Sequence, residues 1–97
     1  MNRSGFEFAW DDGNTRHLAR HRVTPQEAEQ AILDENAILV EIESVYGEER
    51  TKVLGMTPSG RLLVVIFTIR HGAVIRPVTA YPPPKRLRKC YLERRGI

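Results

Sequence analysis

Four stretches in the second half of the chain carry strand-like patterns, separated by short clusters of Gly, Pro and charged residues. Ile38, Val40 and Ile42 alternate with Leu39, Glu41 and Glu43, which predicts a half-exposed strand. Arg50 to Met56 predicts a second strand after the turn Tyr46-Gly47-Glu48-Glu49. Arg61 to Arg70, entered from Pro58-Ser59-Gly60, is apolar on both faces and marks a central strand. Val74 to Ala80 follows the turn His71-Gly72, and its Pro77 predicts a sheet edge or a bulge.

The first half is patterned differently. Phe6, Phe8 and Trp10 alternate with Glu7 and Ala9, a short aromatic strand. Asp11-Asp12-Gly13-Asn14 is turn chemistry that can also cap a helix, and Thr15 to His21 follows as a short polar helix anchored by Leu18 and Ala19. The next helix has the clearest start: Thr24 as N-cap, Pro25 at the first helical position and Glu27 closing a capping box. Val23 can staple onto Ala28, and Ala28, Ala31 and Ile32 form a face able to lie close against a sheet. After Pro82-Pro83-Pro84 a final basic helix carries a narrow stripe of Leu87, Cys90 and Tyr91. Short hairpin connections predict an α+β fold: a mainly antiparallel sheet of four to five strands, two N-terminal helices and one C-terminal helix, with the helices on one face.

A length of 97 residues implies one domain over 1–97. Apolar residues at 41% and charged residues at 28% exclude a largely disordered chain. The single cysteine, Cys90, excludes a disulfide scaffold, fits a reducing cytoplasm, and is assigned to packing by its place in the stripe. No apolar leader is visible at the start, and the longest apolar run, Leu62 to Ile69, falls far short of the ~20 residues of a membrane helix. The net charge of +3 is unevenly spread. Residues 24–50 hold eight acids and one base, and residues 51–97 hold ten bases and one acid. Such asymmetry points to a polyanion partner, an acidic protein partner, or charges that only solubilise.

Several chemistries find no residues to carry them. His17 and His21 share a helix face, but the sequence offers no third and fourth metal ligand in a recognisable motif, so neither a metal nor a cofactor is expected. There is no Gly-rich phosphate loop and no helix-turn-helix reader of DNA. What remains is His, Glu and Arg, the set that a metal-free ribonuclease needs. A base removes the proton of a ribose 2′-hydroxyl, an acid protonates the leaving 5′ oxygen, and fixed cations hold the charge growing on the phosphoryl oxygens. Composition permits that chemistry without establishing it.

The order of motifs resembles the BrnT family of toxins from bacterial type II toxin–antitoxin systems. The matching residues are Phe8-x-Trp10-Asp11, Arg20-His21-x-Val23, Glu27-Ala28, Gly47-Glu48-x-Arg50, Gly55, Gly60-Arg61-x-Leu63-x-Val65, Arg70 and Arg76-x-Val78-Thr79-Ala80. The resemblance implies a fold related to RelE-type toxins, metal-independent cleavage of RNA that slows translation, and a cognate antitoxin with a dimeric DNA-binding domain. Carried over by position, it implies His21, Glu48, Arg50, Arg70 and Arg76 as the catalytic set. His21 is then proton donor or base, Glu48 its orienter or the alternative base, and the arginines are phosphate clamps. Arg20, Tyr81, Lys85 and Arg86 are expected to bind RNA, and the catalytic side chains are expected to converge on one cationic hollow.

The chain departs from its relatives at His17, where many have Asn, at Arg22, where Gly often follows the His, and at Tyr81, where an Arg often ends the strand. These departures motivate an alternative: a binding module that keeps the partner surface with weakened or absent catalysis. In that reading Glu48 and Arg50 form an ordinary surface pair beside a turn.

Overall fold

The computed structural model describes residues 5–97. The expectation that no apolar leader opens the chain falls partly on residues 1–4, outside the described residues. The elements run β1 (Glu7–Phe8), α1 (Asp12–Ala19), α2 (Pro25–Ile32), β2 (Ile38–Val45), β3 (Glu48–Met56), β4 (Leu62–Arg70), β5 (Val74–Tyr81) and α3 (Lys85–Arg95). The strands form one five-stranded sheet in the order β1-β5-β4-β3-β2. All pairings are antiparallel except β1 with β5. The fold is α+β, with a mixed sheet and three helices.

Local chemistry sets these boundaries. Asp11 caps α1 and forms a capping box with Asn14, so the helix begins at Asp12, earlier than the polar pattern suggests. Asn14 is buried, and its amide donates to the carbonyls of Ala9 and Pro77, tying the helix start to β1 and β5. Thr24 and Glu27 complete the expected box on α2. Tyr46 and Gly47 both have positive φ, 51° and 79°, so the β2–β3 hairpin turns in two residues and Glu48 already belongs to β3. Pro77 lies in β5 beside an irregularity of the β4–β5 register and beyond the two residues of β5 that pair with β1, so it sits at a bulge and on a locally unpaired edge, as expected.

The helices do not share one face. Leu63 and Val65 of β4 pack with Leu18, Val23, Ala28 and Ala31 under α1 and α2. Leu62 and Val64, pointing the other way, pack with Leu54 and Tyr91 under α3. A strand apolar on both sides needs cover on both sides, and the C-terminal helix supplies the second layer. Gly55 is what lets α2 come so close. A Cβ there would sit 1.9 Å from the carbonyl oxygen of Ala31. α3 is fixed by the Tyr91 hydroxyl, which donates to Asp34. Cys90 is exposed; the buried side of α3 is Leu87, Tyr91 and Leu92. Its reading as a packing residue is therefore withdrawn. β2 forms the outer edge of the sheet and leaves Leu39 and Ile42 about half exposed.

Candidate active site

α3 covers only one end of its sheet face. Cross-strand register defines the remainder, because residues opposite each other in an antiparallel ladder point to the same side. Under α3 the row Ile38, Leu54, Val64, Tyr81 crosses from β2 to β5. Beyond the helix the row becomes Glu41, Lys52, Ile66, Thr79. One step further, Glu43 pairs with Arg50 and Thr68 pairs with Arg76, and continuing the β3–β4 register by one residue sets Arg50 opposite Thr68. In the last row Val45 pairs with Glu48 and Arg70 with Val74.

This placement brings together much of the set that the sequence singled out. Glu48 lies between two guanidinium groups, 3.6 Å from Arg50 Nε and 3.6 Å from Arg70 Nη2. One carboxylate therefore serves two cations, and both arginines keep donors free. Arg76 is nearby in the ladder, and its Nη2 donates to both oxygens of Asp11, at 2.8 and 3.1 Å. That hydrogen bond is the first cause holding the Asp11 carboxyl below the usual carboxylate range, helped by the backbone N–H of Asn14. Lys52 pairs with Glu41 at 3.5 Å. A shallow hollow of about 410 Å³ at the hairpin, lined by Gly47, Glu48, Glu49, Thr51 and Ile69, opens mainly on the other face of the sheet, to which Glu49, Thr51 and Ile69 point. Among the described residues no group of three or more His, Cys, Asp or Glu is placed to hold a metal ion.

His21 is not part of this cluster. It follows α1, and its ring lies beside Tyr81, with centroids 6.0 Å apart and planes tilted by 54°. Tyr81 is opposite Val64, whereas Arg70 ends β4. At about 3.3 Å per residue that separation is roughly 20 Å along the strand. The single cationic hollow is thus replaced by two stations, because α1 runs back toward the start of β4. Arg61 anchors this second station, donating to the carbonyls of His21 and Arg22 while pairing with Glu27 at 3.0 Å. Arg20, Lys85 and Arg86 are exposed, Arg20 beside His21 in the chain and the other two at the start of α3. Arg22 has φ of 57°, a left-handed conformation that favours glycine.

Sequence reasoning missed Asp11 and Asn14 as the device that holds Arg76 and β5, although the spacing Asp11-x-x-Asn14 is a capping pattern. It also missed Thr68, whose neighbours only register reveals. A sequence profile for the family described as ribonuclease toxin BrnT of type II toxin–antitoxin systems matches residues 10–86, a span holding both stations as far as the start of α3. No curated protein matches the chain significantly.

Proposed function

The chain belongs to the BrnT family of ribonuclease toxins of type II toxin–antitoxin systems, and on that premise we propose that it cuts RNA on the open half of the α3 face. The observation that carries the reading is Glu48 held between Arg50 and Arg70. In the proposed step the Glu48 carboxylate takes the proton of a ribose 2′-hydroxyl. The freed oxygen attacks the adjacent phosphorus, and the bond to the 5′ oxygen breaks to leave a 2′,3′-cyclic phosphate, the departing oxygen taking a proton from solvent water. Arg50, Arg70 and Arg76 hold the charge on the phosphoryl oxygens as it builds, and no metal takes part. His21, Tyr81, Arg20, Lys85 and Arg86 grip the strand to one side, where Tyr81 offers a ring for a base to stack on and the cations meet phosphates.

The family also supplies the partners: RNA as substrate and a cognate antitoxin, which we propose carries a dimeric DNA-binding domain. The proposed setting is one RelE-like domain over 1–97 acting in the bacterial cytoplasm. Among the described residues no helix is long and apolar enough to cross a membrane.

The test is cleavage of RNA by purified protein in EDTA. Wild type should leave 2′,3′-cyclic ends, and Glu48→Gln and Arg50→Ala should each slow the reaction roughly 100-fold. His21→Ala should raise KM more than it lowers kcat. Cleavage that is equal in wild type and in the Glu48→Gln, Arg50→Ala double variant refutes the assignment. The separation of His21 from Glu48 favours a second reading, a partner-docking module with weakened catalysis. It predicts tight antitoxin binding with no growth arrest, and arrest abolished by Glu48→Gln would eliminate it.

A further inference from the structure

Among the described residues only two buried side-chain polar atoms have no hydrogen-bond partner: Thr68 Oγ1 and Arg50 Nε. They are not scattered. Register makes the two residues cross-strand neighbours on the α3 face, with Arg76 on the other side of Thr68. Thr68 is 2% exposed, so its hydroxyl is shut off from bulk water as well. Arg50 Nε lies 3.6 Å from Glu48, too far for a hydrogen bond, so the ion pair does not satisfy it. Leaving a buried donor unmet is costly, and proteins seldom keep two such groups side by side without use. Both are donors, and Thr68 is flanked in its row by the guanidinium groups of Arg50 and Arg76, whose carboxylate partners Glu48 and Asp11 leave other guanidinium donors free. A compact oxyanion is the ligand whose acceptors match that arrangement.

We infer that Thr68 is a phosphate-binding residue: as the partly exposed Arg50 side chain swings outward, its Nε–H and the uncovered Thr68 hydroxyl donate to non-bridging oxygens of one RNA phosphodiester seated between Arg50 and Arg76. The inference deepens the ribonuclease reading and rests on it for the identity of the anion. Valine has nearly the shape of threonine and lacks the hydroxyl, so it removes the donor without opening a cavity. Replacing an unmet hydroxyl by a methyl group does not destabilise a fold, which separates this role from a structural one.

The test titrates inorganic phosphate into the intact chain, followed by the proton–nitrogen signal of Arg50 Nε and by the melting temperature. Wild type and Thr68→Ser should bind phosphate with a shift of that signal. Thr68→Val should bind it roughly tenfold more weakly, while melting without phosphate at or above the wild-type temperature. Phosphate binding by Thr68→Val equal to wild type overturns the inference, as does a Thr68→Val chain that melts several degrees lower, since the hydroxyl then has a partner inside the fold. RNA cleavage by the same proteins separates the two ideas. Thr68-dependent phosphate binding without RNA cleavage by wild type removes the ribonuclease and keeps the anion site. Cleavage by Thr68→Val with unchanged KM and kcat, alongside unchanged phosphate binding, removes only the role of Thr68.

Discussion

The face of the sheet that carries α3 has two halves, built on the same strands with opposite chemistry. Near α3 the row Ile38, Leu54, Val64, Tyr81 is apolar or aromatic and lies under the helix. Toward the β2–β3 hairpin the rows hold Lys52, Arg50, Arg70 and Arg76 with Glu41, Glu43 and Glu48, and among the described residues no helix packs on them. Yet Thr68, among these charges, is as buried as the core. In the covered half, burial is matched by apolar contacts that stabilise the fold. In the open half, burial leaves donors unmet, a cost that stability alone does not explain. The molecule separates along one face the part that holds it together from the part proposed to meet RNA.

The sharpest way to break this contrast is at the covered end. Gly55→Ala puts a methyl group against the Ala31 carbonyl and forces α2 off the sheet, an expected loss of about 4 kcal/mol or more in chemical denaturation. Leu62→Ala, 4% exposed beneath α3, should cost about 2–4 kcal/mol by the same measurement. Arg70→Ala, on the open half, should reverse the pattern: stability within about 0.5 kcal/mol of wild type, with RNA cleavage slowed roughly 100-fold in a gel assay. If Arg70→Ala destabilises as much as Leu62→Ala, the division of labour is wrong.

Acid gives a finer probe of the covered half. Burial tends to raise the Asp34 pKa, but hydrogen bonds from the Tyr91 hydroxyl and the Asn36 and Met56 N–H groups outweigh it and hold the group below the usual carboxylate range. A carboxyl depressed in the folded state stabilises fully above its unfolded pKa, and that contribution fades as pH falls through the folded value. Thermal melts should therefore show wild type losing stability below about pH 4. Asp34→Asn, less stable at neutral pH, should lose less over the same range. The smallest effect is expected at Arg22→Gly, which relieves a left-handed backbone and should raise stability by about 0.5–1 kcal/mol.

Much of the architecture was legible where one residue type dictates local geometry. Thr24, Pro25 and Glu27 announced α2, and Pro77 announced a bulge. The two-sided apolar run from Leu62 to Val65 already contained the need for helices on both faces, although only the structure made that plain. On α3, Cys90 and Tyr91 are adjacent in sequence, and helical spacing alone did not decide which of them turns inward. The candidate site was legible as residue types but not as a place. Whether Arg50 meets Glu48, Arg76 or Thr68 depends on strand register, which no single strand contains. His21 looked close to the arginines because nothing in a short polar helix states the direction in which it returns. Asp11 could be read as a cap but not as the partner of Arg76, a contact between residues far apart in the chain.

The outer strand has a consequence for how copies of this chain treat one another in concentrated solution. β2 ends the sheet with an unmatched ladder and two half-exposed aliphatic side chains, the makings of a template for stacking strand on strand. Glu41 and Glu43 flank Ile42, so two identical borders meeting head to tail about that residue would press like charges together. The same pair of acids, one of them also paired with Lys52, thus acts as a gatekeeper, and neutralising both is expected to favour strand-to-strand association.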